Sequence, residues 1–489
     1  MRKYIELFHN LFLSLILNKV ETIKMWGYTT WSMLYLLRNS PGKIKESQRR
    51  RGLDPSVVDR ARLYDEMWRQ KLSELNELRH EHNVITREIA KCKDPELRRK
   101  KIEDAKRLLQ RISSLEEEVR RYKELRDEIL LSIPNIVHES VPEGVGEEDN
   151  VPVMFYGKPK VWKGYLDRFL SQVKEAKVEY EIIEERPLSH YEMGYALKMV
   201  DTERAAKIAG SRFYYLLEDL VWLEFALILY ALDHLSRKGF IVIEPPFMMR
   251  RAAYEGVISL SDFEDAIYKL EDEDLYLIAT SEHPIAAMYM NEVLVKDELP
   301  LKYAGVSPCF RKEAGAHGKD TKGIFRVHQF NKVEQFVFSL PEDSWKMHEE
   351  LLNNAVELWK GLGMPFRVVN VCTGDLGAVA AKKYDIEVWM PGQGRFREVV
   401  SCSNCTDYQS YRLNIRYAKA KGLPAEGYVH TLNSTAIATS RAITAILENY
   451  QLEEGVVEIP KVLRRYLEPF PKAPKDAIKP RVVGGGDGP

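Results

Sequence analysis

Phe310-Arg311-Lys312-Glu313, Ala-Gly-Ala-His-Gly-Lys-Asp-Thr-Lys-Gly323 and Ile324-Phe-Arg-Val-His-Gln-Phe330 follow one another without a break, and their reading decides the fold of the 489-residue chain. Short alternating segments surround them: Lys302–Val306, Gly323–Val327 and Val333–Phe338 predict strands at hairpin spacing. Long helical patterns lie on either side, over Ala205–Leu235 and Trp345–Leu362. Clustered strands without regular βαβ alternation predict an α+β domain on an antiparallel sheet. Continued through Glu313, the strand before the glycine-rich loop would point Arg311 and Glu313 to one face. An arginine clamps a phosphate bidentately, a carboxylate beside it accepts from an exocyclic amine or a cation, and the loop can close over a ligand. Taken alone, the same two residues also describe an exposed cross-strand ion pair.

Other clusters lie outward from this stretch. Thr280-Ser281-Glu282 ends the apolar segment Leu275–Ala279, and Glu334 lies within Val333–Phe338. Carboxylates on neighbouring strands are costly unless solvated or paired, which implies a cationic partner. Glu398-Val-Val-Ser401 sets a carboxylate and a hydroxyl one helical turn or a short loop apart, a combination suited to a metal–phosphate group. Thr431-Leu-Asn433-Ser-Thr435-Ala-Ile-Ala-Thr-Ser-Arg441 runs small residues into an apolar helix, Ala442–Leu447. There is no G-x-x-x-x-G-K-[ST], G-x-G-x-x-G or H-E-x-x-H, so the commonest nucleotide and zinc signatures are absent.

The first third differs in character. Trp68, Leu72, Leu75, Leu78, His82, Ile85 and Ile89 step by three and four, as do Ile102, Ala105, Leu109, Ile112, Leu115, Val119 and Tyr122, with Cys92-Lys-Asp-Pro95 between the runs. Two narrow apolar seams joined by a turn predict an antiparallel coiled-coil hairpin over about 59–131, with arms of roughly 45 Å that project into solvent. Arg87 to Arg111 holds ten basic and five acidic residues, including Arg98-Arg99-Lys100-Lys101 near the tip. A charge run on a coiled coil is usually a solvated face. Over the whole chain 72 Lys+Arg against 73 Asp+Glu leave a net charge of -1, so any nucleic-acid surface is a local patch. Five cysteines in so long a chain do not make a secreted disulfide framework.

Taken together, the clusters resemble the seryl-tRNA synthetases of archaeal and eukaryotic-like cytoplasmic type, within the class II aminoacyl-tRNA synthetases. Gly239-Phe-Ile-Val-Ile-Glu-Pro-Pro246 resembles class motif 1. Phe310–Glu313 with Phe325–Phe330 resembles motif 2, and His430–Arg441 with Ile446–Gln451 resembles motif 3. Ser401-Cys-Ser-Asn-Cys-Thr-Asp-Tyr-Gln409 is similar to a family stretch just past the active-site carboxylate. Pro-, Gly- and acid-rich composition reads as a linker over 146–160, and the proline- and glycine-rich end as a disordered tail over 471–489; the resemblance implies an N-terminal extension over 1–32, a tRNA-binding domain over 33–145 and a class II catalytic domain over 161–470. Met33–Pro41 resembles the family's usual first residues, so residues 1–32 are expected to be dispensable, with Met1, Met25 and Met33 as candidate starts. Arg2-Lys3 and Leu11–Leu17 superficially resemble a signal peptide, but His9-Asn10 interrupts the apolar part and no small-residue cleavage site follows.

By the same resemblance Arg311 and Arg441 are the catalytic arginines, on the α- and γ-phosphates of ATP. Lys312, Glu313, Val327, Val399 and Val400 complete the nucleotide site, with Phe330 stacking on adenine. Glu398 and Ser401 would hold Mg²⁺ and phosphate. Thr280, Ser281, Glu282, Arg311, Glu334, Asn433 and Thr435 would hold L-serine; Ser434-Thr435 stands where bacterial relatives have Gly-Ser. Arg87, Arg98, Arg99, Lys100 and Lys101 would grip the long variable arm of serine tRNA across a homodimer, in the cytoplasm and without a membrane. Whether selenocysteine tRNA is also charged stays open. Two other readings fit part of the pattern: a tRNA-binding paralogue without activity, and a ligase that passes another small acid to a carrier protein. The complete set Arg311, Glu313, Glu334, Glu398 and Arg441 speaks against the first, and the basic hairpin against the second. Cys402-x-x-Cys405 has no second pair at zinc spacing, so zinc is not expected. His317 and His328 are expected to be hydrogen-bonders, and Trp68 to pack in the hairpin seam.

Overall fold

The computed structural model describes residues 32–259, 266–313, 320 and 322–481. The expected 1–32 extension and the end of the tail therefore lie outside the described residues, apart from Ser32. Among the described residues the first four helices are α1 (Ser32–Asn39), α2 (Pro41–Arg50), α3 (Val57–Lys91) and α4 (Pro95–Ser132). At 1.5 Å per residue α3 and α4 are about 50–57 Å long. Asp94 turns the chain between them, its carboxylate accepting from the amides of Glu96 and Leu97, while Pro95 fills the first helical position, where no amide is needed. Leu75, Leu78, Ile112 and Leu115 form the buried seam. At the base, Asp65 accepts from Arg38 (2.8 Å) and Arg126 (3.0 Å), and Arg126 lies 4.7 Å over the Trp68 ring. Met33, Leu37, Ile44, Val58 and Leu130 make a small core there, against which Tyr411 and Tyr428 of the second domain pack.

The second domain is built on one eight-stranded sheet. Numbering only its strands, these are β1 (Val151–Tyr156), β2 (Ile241–Ile243), β3 (Leu301–Phe310), β4 (Gln329–Ser339), β5 (Phe366–Asn370), β6 (Lys382–Met390), β7 (Arg395–Asn404) and β8 (His430–Ala438). Their order is β1-β5-β6-β7-β8-β4-β3-β2; every neighbouring pair is antiparallel except β2–β3 at one edge. Three helices pack on one face: α5 (Asp219–Arg237), α6 (Ser344–Gly361) and α7 (Thr439–Asn449). The core between them and the sheet includes Leu227, Trp359, Ile386, Val400 and Ile446. The opposite face is left for a cleft.

Several expected boundaries move. The 146–160 linker contains β1, which pairs with β5 at the edge of the sheet. Val151-Pro-Val-Met-Phe-Tyr156 reads as proline-broken, yet an edge strand tolerates a missing amide, and the register slips between Pro152 and Met154. The tail over 471–489 is packed as far as Arg481. Ala477–Ile478 pairs with Val457–Glu458, Ile478 and Ala473 are buried, and the Arg481 amide donates to Leu197 O. Its prolines punctuate a wrapped segment, and apolar anchors hold it. Ala205–Leu235 is two helices, Thr202–Ala209 and Asp219–Arg237, because Gly210 ends the first at φ +94°. Gly323–Val327 forms bends, and only Tyr276–Leu277 of Leu275–Ala279 is a strand.

Candidate active site

β4, β7 and β8, with the segment after β3 and the start of α7, line an open cleft of about 670 Å³. Alternation along β4 aims Phe330, Lys332 and Glu334 into it. Across the sheet Glu334 lies opposite Thr435 while Val333 lies opposite Ile437, so Ala436 is an extra residue in β8. The bulge lets Asn433, Thr435 and Ala438 all line the cleft despite their odd spacing. β7 repeats the device. Ile386 lies opposite Val400 and Glu387 opposite Glu398, so Val399 is inserted, and Glu398 faces the same side as Ser401 and Ser403. The pair expected on a helical turn or loop thus sits on a bulged strand.

Arg311 and Glu313 also line the cleft, although not by strand alternation. β3 ends at Phe310, and Glu313 stands at φ +52°. Arg311 Nε donates to Ala279 O at 3.4 Å, and its guanidinium lies 5.3 Å over the Phe330 ring. Glu313 accepts from Arg326 at 2.9 Å. Arg441 donates to Glu398 at 3.0 Å. Burial pulls Glu398 upward, but Arg441 and Lys383 hold it below its ordinary value.

The other end of the cleft is more deeply buried. Glu334 pairs with Lys332 at 2.6 Å and accepts from Thr435 at 3.3 Å; both partners of the ion pair are buried. Glu282 accepts from Asn433 (3.0 Å) and Gln409 (3.2 Å). Burial, and then the like charge of Glu334, push Glu282 up to about 7. Burial, only partly offset by Lys332, also raises Glu334. His283 is buried and held by Tyr254 at 2.8 Å, and burial pushes it down to about 3. Two carboxylates and one ammonium leave this end one negative charge in excess when all are ionised, an arrangement suited to a small cation.

Of the expected site residues, Thr280, Glu282, Arg311, Glu313, Phe330, Glu334, Glu398, Val399, Ser401, Asn433, Thr435 and Arg441 line the cleft. Ser281, Lys312, Val327 and Val400 do not. Ser281 is buried and donates to Gly305 O, while Val327 and Val400 sit in the core. Sequence reasoning missed Lys332, although two-residue alternation from Glu334 points to it. It also missed Cys405 and the irregular wall Leu376-Gly-Ala-Val-Ala380, which carries no periodicity. Cys402 is in the core, whereas Cys405 reaches the cleft and accepts from Asn433 at 3.6 Å. Among the described residues no group of three or more His, Cys, Asp or Glu could hold a metal ion, and no helix is long and apolar enough to cross a membrane.

This arrangement is that of a class II synthetase core. Residues 268–450 match the family described as "tRNA synthetase class II core domain (G, H, P, S and T)", and residues 34–137 match "Seryl-tRNA synthetase N-terminal domain". The serine–tRNA ligases of Hyperthermus butylicus and Archaeoglobus fulgidus are each 60% identical to the chain, over 92% of it and 98% and 99% of their own lengths. The crystal structure of Pyrococcus horikoshii seryl-tRNA synthetase complexed with ATP superposes with a TM-score of 0.87 at 55% identity, covering 92% of this chain and 99% of that one. Cytoplasmic serine–tRNA ligase from Naegleria fowleri, solved with AMP, gives 0.77 at 41% identity, covering 91% and 97%. The chain belongs to the seryl-tRNA synthetase family.

Proposed function

We infer that the chain is a serine–tRNA ligase, which activates L-serine with ATP and transfers the seryl group to the 3′ end of serine tRNA. The observation that carries the residue-level reading is one cleft with arginines at one end and a buried Glu282–Lys332–Glu334 cluster at the other. Arg311 takes the α-phosphate, Arg441 the γ-phosphate, Glu313 the adenine edge and Phe330 its ring. Glu282 and Glu334 hold the serine ammonium and hydroxyl, with Asn433 and Thr435 lining the pocket. A serine carboxylate oxygen attacks the α-phosphorus and pyrophosphate leaves; the tRNA hydroxyl then attacks the seryl carbonyl and AMP leaves. The carboxylate is already the nucleophile, so no general base is required, and His283, neutral and engaged with Tyr254, is not called on as one. Catalysis rests on positioning and on charge placed at the α-phosphoryl group.

Glu398 and Ser401 fit Mg²⁺. They are hard oxygen donors brought to one face, and Asp385, opposite Ser401, carries a buried Oδ1 with no hydrogen-bond partner among the described residues. Bound there, Mg²⁺ would neutralise phosphate charge. ATP–pyrophosphate exchange with serine, threonine, alanine and glycine tests the reading: exchange with serine alone is expected, and none from folded protein would overturn it.

Glu282 makes the serine half-reaction pH-dependent. Below about 7 its carboxyl is protonated in the free enzyme and cannot pair with an ammonium. The kcat/KM for serine should therefore rise with pH up to about 7 and level off above it, falling about tenfold per unit below. Glu282→Gln should remove that limb, whereas a wild-type profile flat from pH 6 to 8 would contradict the assignment.

The homodimer and the tRNA grip are proposed on separate grounds. Phe225 and Leu229 on α5, and Ile241 and Val242 on β2 within the stretch resembling motif 1, are exposed beside the β2 edge of the sheet. A two-fold partner would cover them. At the hairpin tip Arg87, Arg98, Arg99 and Lys100 are exposed, while Lys101 pairs with Glu88 at 2.6 Å. Arg98→Ala with Lys100→Ala should raise the KM for tRNA and lower the slope of log K against log salt by about 0.7–0.9 per lost phosphate contact. Serine-dependent exchange without tRNA should be unchanged. The cytoplasm is the proposed compartment, in keeping with five free cysteines.

A further inference from the structure

The carbonyls of the irregular wall of the cleft are bonded from the N-terminal domain. Five consecutive carbonyls, from Gly377 to Ala381, each accept a hydrogen bond from the N-terminal region. Arg51 Nη1 donates to Gly377 O at 2.6 Å, and Arg51 Nη2 to Ala380 O at 2.9 Å. The Asn135 amide donates to Ala378 O at 2.8 Å and its side chain to Val379 O at 2.9 Å, while the His138 amide reaches Ala381 O at 2.9 Å. Asn135 Nδ2 also donates to Cys405 O at 2.7 Å, behind the thiol that touches Asn433 in the serine end of the cleft. Val137 and Val141 pack on Leu376 and Ala380 from the same side. A segment without helix or ladder must find partners for its carbonyls elsewhere, and here two side chains of the hairpin-bearing domain supply three of the five bonds.

We propose that Arg51 and Asn135, at the base of the hairpin-bearing domain, are positioning residues for serine activation, fixing the Gly377–Ala380 wall of the amino-acid pocket from behind. The proposal rests on the assignment of that end of the cleft to serine. It gives the N-terminal domain a part in the half-reaction that uses no tRNA. Arg51 spans two carbonyls with one planar fork, which a lysine cannot reproduce.

Full-length Arg51→Ala and Asn135→Ala would be assayed by ATP–pyrophosphate exchange without tRNA, varying serine and ATP separately, with melting temperatures measured alongside. The expected result is a KM for serine raised about 10- to 100-fold, with the KM for ATP within about twofold and Arg51→Lys intermediate. A loss of stability alone would lower the active fraction and leave the KM for serine in place. The Arg79→Ala variant, which breaks only the exposed Arg79–Glu116 pair between the hairpin arms, should show the wild-type KM. If Arg51→Ala does not fold, Asn135→Ser reads the same quantity, since it removes the side-chain contacts to Val379, Cys405 and Thr406 and spares the backbone bond to Ala378 O. An unchanged KM for serine in folded variants overturns the proposal; absence of serine exchange from the wild type overturns instead the reading beneath it.

Discussion

Replacing Arg311 by alanine is expected to lower the kcat of serine-dependent ATP–pyrophosphate exchange by about 10²–10³-fold, the scale seen when one preorganised donor to a developing oxyanion is removed. The side chain lines the cleft, and its anchors are a long 3.4 Å bond to Ala279 O and the Phe330 ring beneath it. Such a contact is worth about 0.5–1 kcal/mol at a partly exposed site, so the melting temperature should move little. Arg311→Lys keeps a charge but loses the fork that grips two phosphate oxygens, and should recover only part of the rate. The KM for serine should change far less than kcat. Exchange within fivefold of wild type in folded Arg311→Ala would remove this residue from the α-phosphate.

The hairpin was legible in sequence because a seam repeated every three and four residues admits one geometry, and Cys92–Pro95 contains both a helix stop and a cap. The flanking strands of the motif 2 stretch were legible for the same reason, since period two selects a face. What periodicity cannot supply is register. Glu398 and Ser401 are three apart, which in a regular strand would send them to opposite faces, and only the inserted Val399 reconciles them. The inserted Ala436 likewise has no signature apart from its partner strand. Gly377–Ala381 is more extreme. Its small residues look like filler, and its shape is dictated by Arg51 and Asn135, more than 200 residues away in the chain. The resemblance to a family located the motif residues, but it could not say that Val400 and Ser281 turn away from the cleft.

The largest effect on serine affinity should come from Glu334→Gln, with a KM for serine raised about 100-fold and the KM for ATP nearly unchanged. Glu334 lies at the bottom of the cleft, buried, in an ion pair with Lys332 and accepting from Thr435. Glutamine keeps the size and one acceptor but removes the charge. A hydrogen bond to a charged group is worth about 1.5–3 kcal/mol, and about 1.4 kcal/mol corresponds to a factor of ten. The substitution also leaves Lys332 buried beside a neutral amide, so its ammonium would compete electrostatically with that of serine. That repulsion is separable: Lys332→Met combined with Glu334→Gln removes the buried cation, and should recover part of the affinity lost in the single variant. If the single variant kept its affinity for serine, the ammonium would have to be held by Glu282 alone, and the pH limit near 7 would then account for the whole electrostatic part of serine recognition. If the double variant bound serine no better than the single one, Lys332 would be a structural partner of Glu334 with no influence on the ligand.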